Sequence, residues 1–180
     1  MSARSVCVYC ASATDIPEHY LWLAAEVGAG IAARGWRLVS GGGKVSMMGS
    51  VAGAAREGGG RTVGVIPRPL VDREVADVDA DELLITDTMR ERKALMDAHA
   101  DAFLALPGGI GTCEELFEAW TSRALGLHAK PVVLLDPDGH YAGLLDWLAE
   151  LCRRGFLSTA GLAALVVATD VETALRACAG

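Results

Sequence analysis

Short apolar runs alternate along the chain with longer stretches whose apolar residues recur every three or four positions. Residues 5–10 (Ser-Val-Cys-Val-Tyr-Cys) form the first run, continuous rather than alternating, as in a strand buried on both faces of a parallel sheet. A turn over 11–15 leads to Pro17, near a helix start, and Tyr20, Leu23, Ala24, Val27 and Ile31 keep helical spacing up to Gly35. A second strand over 36–40 ends in Gly41-Gly42-Gly43, and a small-residue helix over 47–57 stops at Gly58-Gly59-Gly60. The third strand, 61–66, ends at Pro67. Residues 69–81 are polar and acidic without periodicity, which predicts a surface loop over an active face. Strand character returns at 82–86. Asp87 or Thr88 then caps a helix whose buried face includes Met89, Leu95, Met96 and His99. Residues 101–106 make another strand, followed by a glycine turn and a helix capped by Thr112. A strand over 130–135, a helix over 141–153, a last strand over 162–168 and a helix over 171–178 complete the chain.

Strands alternating with helices define right-handed βαβ units. The predicted fold is therefore α/β: a Rossmann-like three-layer sandwich with a mostly parallel sheet covered by helices on both faces, and residues 1–180 as one domain. Such sheets bind ligands beyond the carboxyl ends of their strands, at the point where strand order reverses. The loops over 10–15, 40–48 and 107–115 all follow strands and are expected to converge there.

Composition narrows the ligand. A 52% hydrophobic content argues against disorder, and 180 residues suffice to bury a sizeable core. A net charge of −7 with no basic block longer than Arg153-Arg154 argues against non-specific nucleic-acid or anionic-membrane binding, which needs a positive face. Small phosphorylated ligands need only a helix start and a few local cations. The first residues show no secretory leader, and the longest apolar run, 160–168, is far below the ~20 residues of a membrane span, so a soluble cytoplasmic protein is expected. Cys7 and Cys10 have redox-motif spacing but lie in a strand, where residues three apart face opposite ways. With Cys113, Cys152 and Cys178 they read as free thiols, and neither a disulfide framework nor a metal site is expected. His19, His99, His128 and His140 are scattered, and no Gly-x-Ser-x-Gly elbow exists.

The most informative stretch is Pro107-Gly108-Gly109-Ile110-Gly111-Thr112-Cys113-Glu114-Glu115. Glycines allow close backbone approach, and a helix start presents unpaired N–H groups to an anion. Two acids in the first turn are odd company for an anion unless they face another part of the same ligand. Thr112-x-x-Glu115 also matches a capping box, in which Glu115 would only bond the Thr112 backbone. Cys113 has no evident base and reads as inert. Gly41-Gly42-Gly43-Lys44-Val45-Ser46 fails both the dinucleotide and the Walker patterns, leaving a tight turn or a phosphate- or ribose-facing loop. Arg90 and Arg92 point about 200° apart on a helix, so they cannot share one environment.

Taken together, Met89-x-x-Arg92-Lys93 and Pro107-Gly108-Gly109-x-Gly111-Thr112-x-x-Glu115 resemble the LONELY GUY (LOG) family of cytokinin riboside 5′-monophosphate phosphoribohydrolases, often mislabelled lysine decarboxylases. Residues 6–12 are similar to that family's first strand and loop. Ser40-Gly41-Gly42-Gly43 with Met48-Gly49 is similar to its second glycine loop. Ala11 departs from the usual Gly, and Ser46-Met47 from a frequent Gly-Leu.

The resemblance implies hydrolysis of the N-glycosidic bond of AMP or N6-prenylated AMP, giving free base and ribose 5-phosphate. It implies Arg92 and Glu115 as the catalytic pair, with Glu115 facing the sugar, and Gly111 and Thr112 holding the phosphate. It implies further substrate contacts from Ser12, Gly42, Gly43, Glu74, Lys93, Gly109, Ile110, Cys113, Glu114 and Thr121. It also implies a homodimer with sites near the subunit interface, and no metal or cofactor. The alternative is a non-catalytic nucleotide or molybdenum-cofactor carrier of the same architecture. A lysine decarboxylase is a third reading, weakened because no lysine stands in a context that singles it out for a Schiff base.

Overall fold

In the computed structural model, which describes residues 3–180, β1 (Ser5–Tyr9) sends Val6 and Val8 to one face of a sheet and Cys7 and Tyr9 to the other. This parity is that of any extended chain, and both faces are apolar because both are covered. The first face carries α1 (Glu18–Ala33), α2 (Ser46–Glu57) and α7 (Val171–Ala179), packed through Val27, Ile31, Val51 and Leu175. The second carries α3 (Met89–His99), α4 (Ile110–Ala124), α5 (Ala142–Arg153) and the short α6 (Thr159–Ala163), packed through Met96, Leu116, Trp120 and Leu148. Gly28 lets α1 and α2 approach closely, since a Cβ there would sit 2.2 Å from the Val51 carbonyl oxygen.

The remaining strands are β2 (Arg37–Ser40), β3 (Thr62–Pro67), β4 (Glu82–Thr86), β5 (Ala102–Ala105), β6 (Val132–Leu135) and β7 (Leu165–Ala168). Their order is β4-β3-β2-β1-β5-β6-β7, and every pairing is parallel. The α/β sandwich expected from the sequence is therefore present, with a wholly parallel sheet. Strand order reverses between β1 and β5, whose carboxyl ends carry two of the three expected ligand loops. The chain leaves β3 differently from the other strands. A 3-10 turn (Arg68–Leu70) and turns over 71–81 replace the covering α-helix, and Ala76 forms an antiparallel bridge with Gly43.

Several boundaries differ from expectation, and two show a local reason. The last strand starts at Leu165, because the Ser158 side chain accepts the Gly161 N–H and starts α6 within the same apolar run. A short apolar run fits a strand or a buried helix equally well by spacing alone. Trp36 precedes its strand, its N–H bonding back to Ile31 beyond Gly35, which has a φ of 64°. The cysteines are free, as expected.

Candidate active site

The helix after the glycine turn starts three residues earlier than its sequence suggests. Gly109, not Thr112, is the N-cap of α4, and the first intrahelical bond runs from Cys113 N–H to Gly109. Thr112 is thus in the first turn, buried, and the capping box with Glu115 does not form. Gly108 packs directly against this turn, where a Cβ would meet Thr112 Oγ1 at 2.1 Å. The early start leaves the amides of residues 109–112 as the helix's unpaired donors, aimed beyond the strand ends. A true capping box exists one helix earlier, where Thr88 and Glu91 bond each other's backbone at the start of α3.

That cap fixes the helix bearing Arg92. Arg92 is 5% exposed, whereas Arg90 faces solvent, so the two arginines separate as their spacing requires. Arg92 Nε donates to Val65 O at 3.0 Å and Nη2 to Gly41 O at 2.7 Å, tying α3 to the ends of β3 and β2. Gly41 leaves room for this guanidinium, since a Cβ there would lie 2.2 Å from Arg92 Nη2 and displace it. Nη2 also meets Glu74 Oε2 at 3.2 Å, with side chains 6% and 15% exposed. Glu74 arrives on the 71–81 loop, which periodicity could not position. Nη1 has no oxygen acceptor among the described residues.

Glu115 lies on α4, half-buried, and hydrogen-bonds nothing among the described residues. Burial lifts its carboxyl pKa from 4.5 to about 7, with Glu114 and Glu74 adding to the rise and Arg92 and Lys93 opposing it. Arg92 therefore acts on Glu115 by charge across the site rather than through a bond. Such a group exchanges protons near neutral pH, as a general base must. Lys93 bonds Glu114 and Glu118, which hold its pKa up.

A cavity of about 200 Å³ gathers Arg92, Glu115, Glu74 and Glu114 with Gly109, Ile110, Gly111, Thr112 and Ser12. Cys10, Ala11, Ala13 and Met48 line it too and are not among the expected contacts, because apolar wall residues carry no chemical signature. A second cavity of about 700 Å³ between α3 and α4 adjoins it, sharing Glu114 and Glu115 and adding Lys93 and Tyr9. Four expected contacts line neither. Gly42 and Gly43 are buried beneath the 71–81 loop. Cys113 packs against the core, and burial raises its thiol pKa, as suits an inert thiol. Thr121 is exposed further along α4. Of the four scattered histidines, His140 is the one beside the glycine turn: its Nε2 lies 2.9 Å from the Gly108 carbonyl, bracing the turn from the loop after β6.

Residues 48–178 match the family model described as "Possible lysine decarboxylase". The chain is 58% identical over 175 residues to a protein of Mycobacterium tuberculosis named cytokinin riboside 5′-monophosphate phosphoribohydrolase, covering 97% of this chain and 93% of the relative. It is 42% identical over 175 residues to one of the same name from Rhodococcoides fascians, covering 97% and 88%. Among solved structures, the molybdenum cofactor carrier protein of Chlamydomonas reinhardtii superposes with a TM-score of 0.74 at 28% identity, covering 98% and 96% of the two chains. Both paired motifs, the fold that carries them and the extent of these matches agree: this chain belongs to the LOG family, the family of that "possible lysine decarboxylase" model.

Proposed function

We propose that this protein hydrolyses the N-glycosidic bond of adenosine 5′-monophosphate or its N6-prenylated form, releasing the base and ribose 5-phosphate. The observation that carries the reading is one cavity holding a helix N-terminus and, beside it, a raised-pKa carboxyl. The amides of residues 109–112 suit a 5′-phosphate. The acids suit the other end of the ligand, where positive charge develops on the ribose as the C1′–N9 bond breaks and its electron pair leaves with the base. Glu115, as carboxylate, stabilises that charge and takes a proton from the water whose oxygen adds to C1′, while the departing base takes up a proton. Arg92 anchors the site through Nε and Nη2 and sets its charge beside Glu115.

The lysines bear on the decarboxylase reading. A lysine that forms a Schiff base must first lose its proton, whereas Lys44, Lys93 and Lys130 are each engaged in an ion pair with a carboxylate, and Glu114 and Glu118 raise the pKa of Lys93. The likeness to the molybdenum cofactor carrier favours a second reading, binding without turnover. Incubating the protein with AMP and isopentenyl-AMP, and following free base, separates the two. Release of base is expected, and a folded protein that binds either nucleotide without releasing base reverses the order.

The family resemblance also supports a cytoplasmic homodimer that functions as one 1–180 unit. Among the described residues no helix is long and apolar enough to cross a membrane. Ile110 and Met89, 90% and 44% exposed on the helices that form the site, are apolar surface that a second copy would shield. Sedimentation of the purified chain tests this, with a dimer expected.

A further inference from the structure

Residues 71–81, the β3–β4 connection without an α-helix, fold back over the strand ends instead. Their backbone is pinned to the second glycine loop at three points. Lys44 N–H is shared between Glu74 O and Val75 O at 3.0 and 2.8 Å, and Asp77 N–H reaches Gly42 O at 2.8 Å. Gly43 makes the bridge with Ala76, and a Cβ there would press on Glu74 at 3.1 Å. Val75 takes a φ of 51°, a left-handed conformation that a β-branched residue keeps only when its surroundings impose it. Inside the loop lies Asp77, only 2% exposed. Its Oδ2 accepts from Arg56 Nη1 at 2.7 Å, while its Oδ1 is buried without a partner among the described residues. An apolar residue would be the cheaper occupant of such a position. Neither Asp77 nor Arg56 lines the nucleotide cavity.

We infer that Asp77 and Arg56 are positioning residues that hold the strained loop on the second glycine loop, and so fix Glu74 against Arg92 in the active site. The inference rests on the hydrolase reading for its kinetic consequence but not for its structural one. Arg56 closes the last turn of α2, where its charge also favours the helix end. The pair ties α2 to the loop, the loop presents Glu74, and Glu74 sets how Arg92 Nη2 is shared between a carbonyl and a carboxylate. Two residues outside the cavity thereby control the electrostatics inside it.

Four proteins test this: wild type, Arg56→Ala, Glu74→Gln and the double variant. Arg56→Ala is expected to speed amide hydrogen exchange at residues 74–77, and to lower kcat/KM for base release from AMP about tenfold, the coupling typical of one bonded network. Arg56→Lys should recover most of both. In the Glu74→Gln background, Arg56→Ala should change kcat/KM by less than about twofold, because its effect runs through Glu74. Equal losses in both backgrounds, or unchanged exchange, would overturn the inference. If Arg56→Ala does not fold, Asp77→Asn takes its place in the same cycle. A wild type that releases no base defeats the hydrolase reading alone. Exchange rates and AMP binding by calorimetry then decide the positioning role in the same four proteins.

Discussion

Glu115 gathers most of the consequences at the scale of single residues. Its folded pKa of about 7 lies above the ordinary 4.5, so folding takes up a proton between those values. The stability contributed by the neutral carboxyl is complete below about pH 4.5, is lost as pH rises through about 7, and is constant beyond. Glu115→Gln, which cannot ionise, should therefore be more stable than wild type at pH 8, by about 1–2 kcal/mol, and no more stable at pH 4. Melting at the two pH values checks it. The same substitution should lower kcat by about 10²–10⁴. In wild type kcat/KM should fall below about pH 7 as the carboxylate is protonated, and Glu115→Gln should lack that limb. Arg92 behaves differently, because its fork serves two carbonyls and Glu74. Arg92→Lys cannot span them and should cost about 3 kcal/mol in stability, read by denaturant unfolding, besides most of the activity. The family resemblance named both residues, and both line one cavity. The resemblance did not reveal that they are unbonded, because only the folded α3 and α4 set their separation.

Elements carry the next set of constraints. The start of α4 at a Gly109 N-cap turns Thr112 from a cap into a first-turn residue. At the neighbouring strand end, Gly41→Ala places a methyl group where Arg92 Nη2 now sits. This should reduce base release at least about a hundredfold, since displacing a preorganised group by about 1 Å has that effect. Thr88→Ala removes the cap of α3 and should cost only about 1 kcal/mol, with kcat nearly unchanged. Thermal unfolding and initial rates of the two variants separate a clash in the site from a loosened helix. Glycines 41–43 read from sequence as a tight turn or a ligand-facing loop, and the motif after β5 as a helix start suited to an anion. The substrate contacts that the family resemblance implies for Gly42 and Gly43 do not line the cavity, because the 71–81 loop lies over them, which no local spacing shows.

For the whole molecule, sheet order converts these pieces into a site. Reversal between β1 and β5 opens the crevice into which the helix start and Glu115 project, and the 71–81 loop closes one side with Glu74. The net charge of −7 surrounds that crevice with a field unfavourable to polyanions. A labelled single-stranded oligonucleotide should show no anisotropy change with the protein at physiological salt, while AMP at a hundredfold excess over its Kd should stabilise it by about 2.7 kcal/mol. Thermal shift with and without AMP gives the second result.

The sequence by itself determined the α/β alternation, nearly every element, the two glycine loops and the residues of chemical interest. These depend on spacing, turn chemistry and helix starts, which act over a few residues. Tertiary structure alone decided that Arg92 reaches the Val65 and Gly41 carbonyls. It also decided that Glu74 meets Arg92, that Asp77 is buried against Arg56, and that Glu115 is poised near neutrality. Those outcomes depend on which distant segments pack together and how much water they exclude. A polar loop without periodicity and a carboxyl without a neighbour in sequence acquire their properties only from that packing.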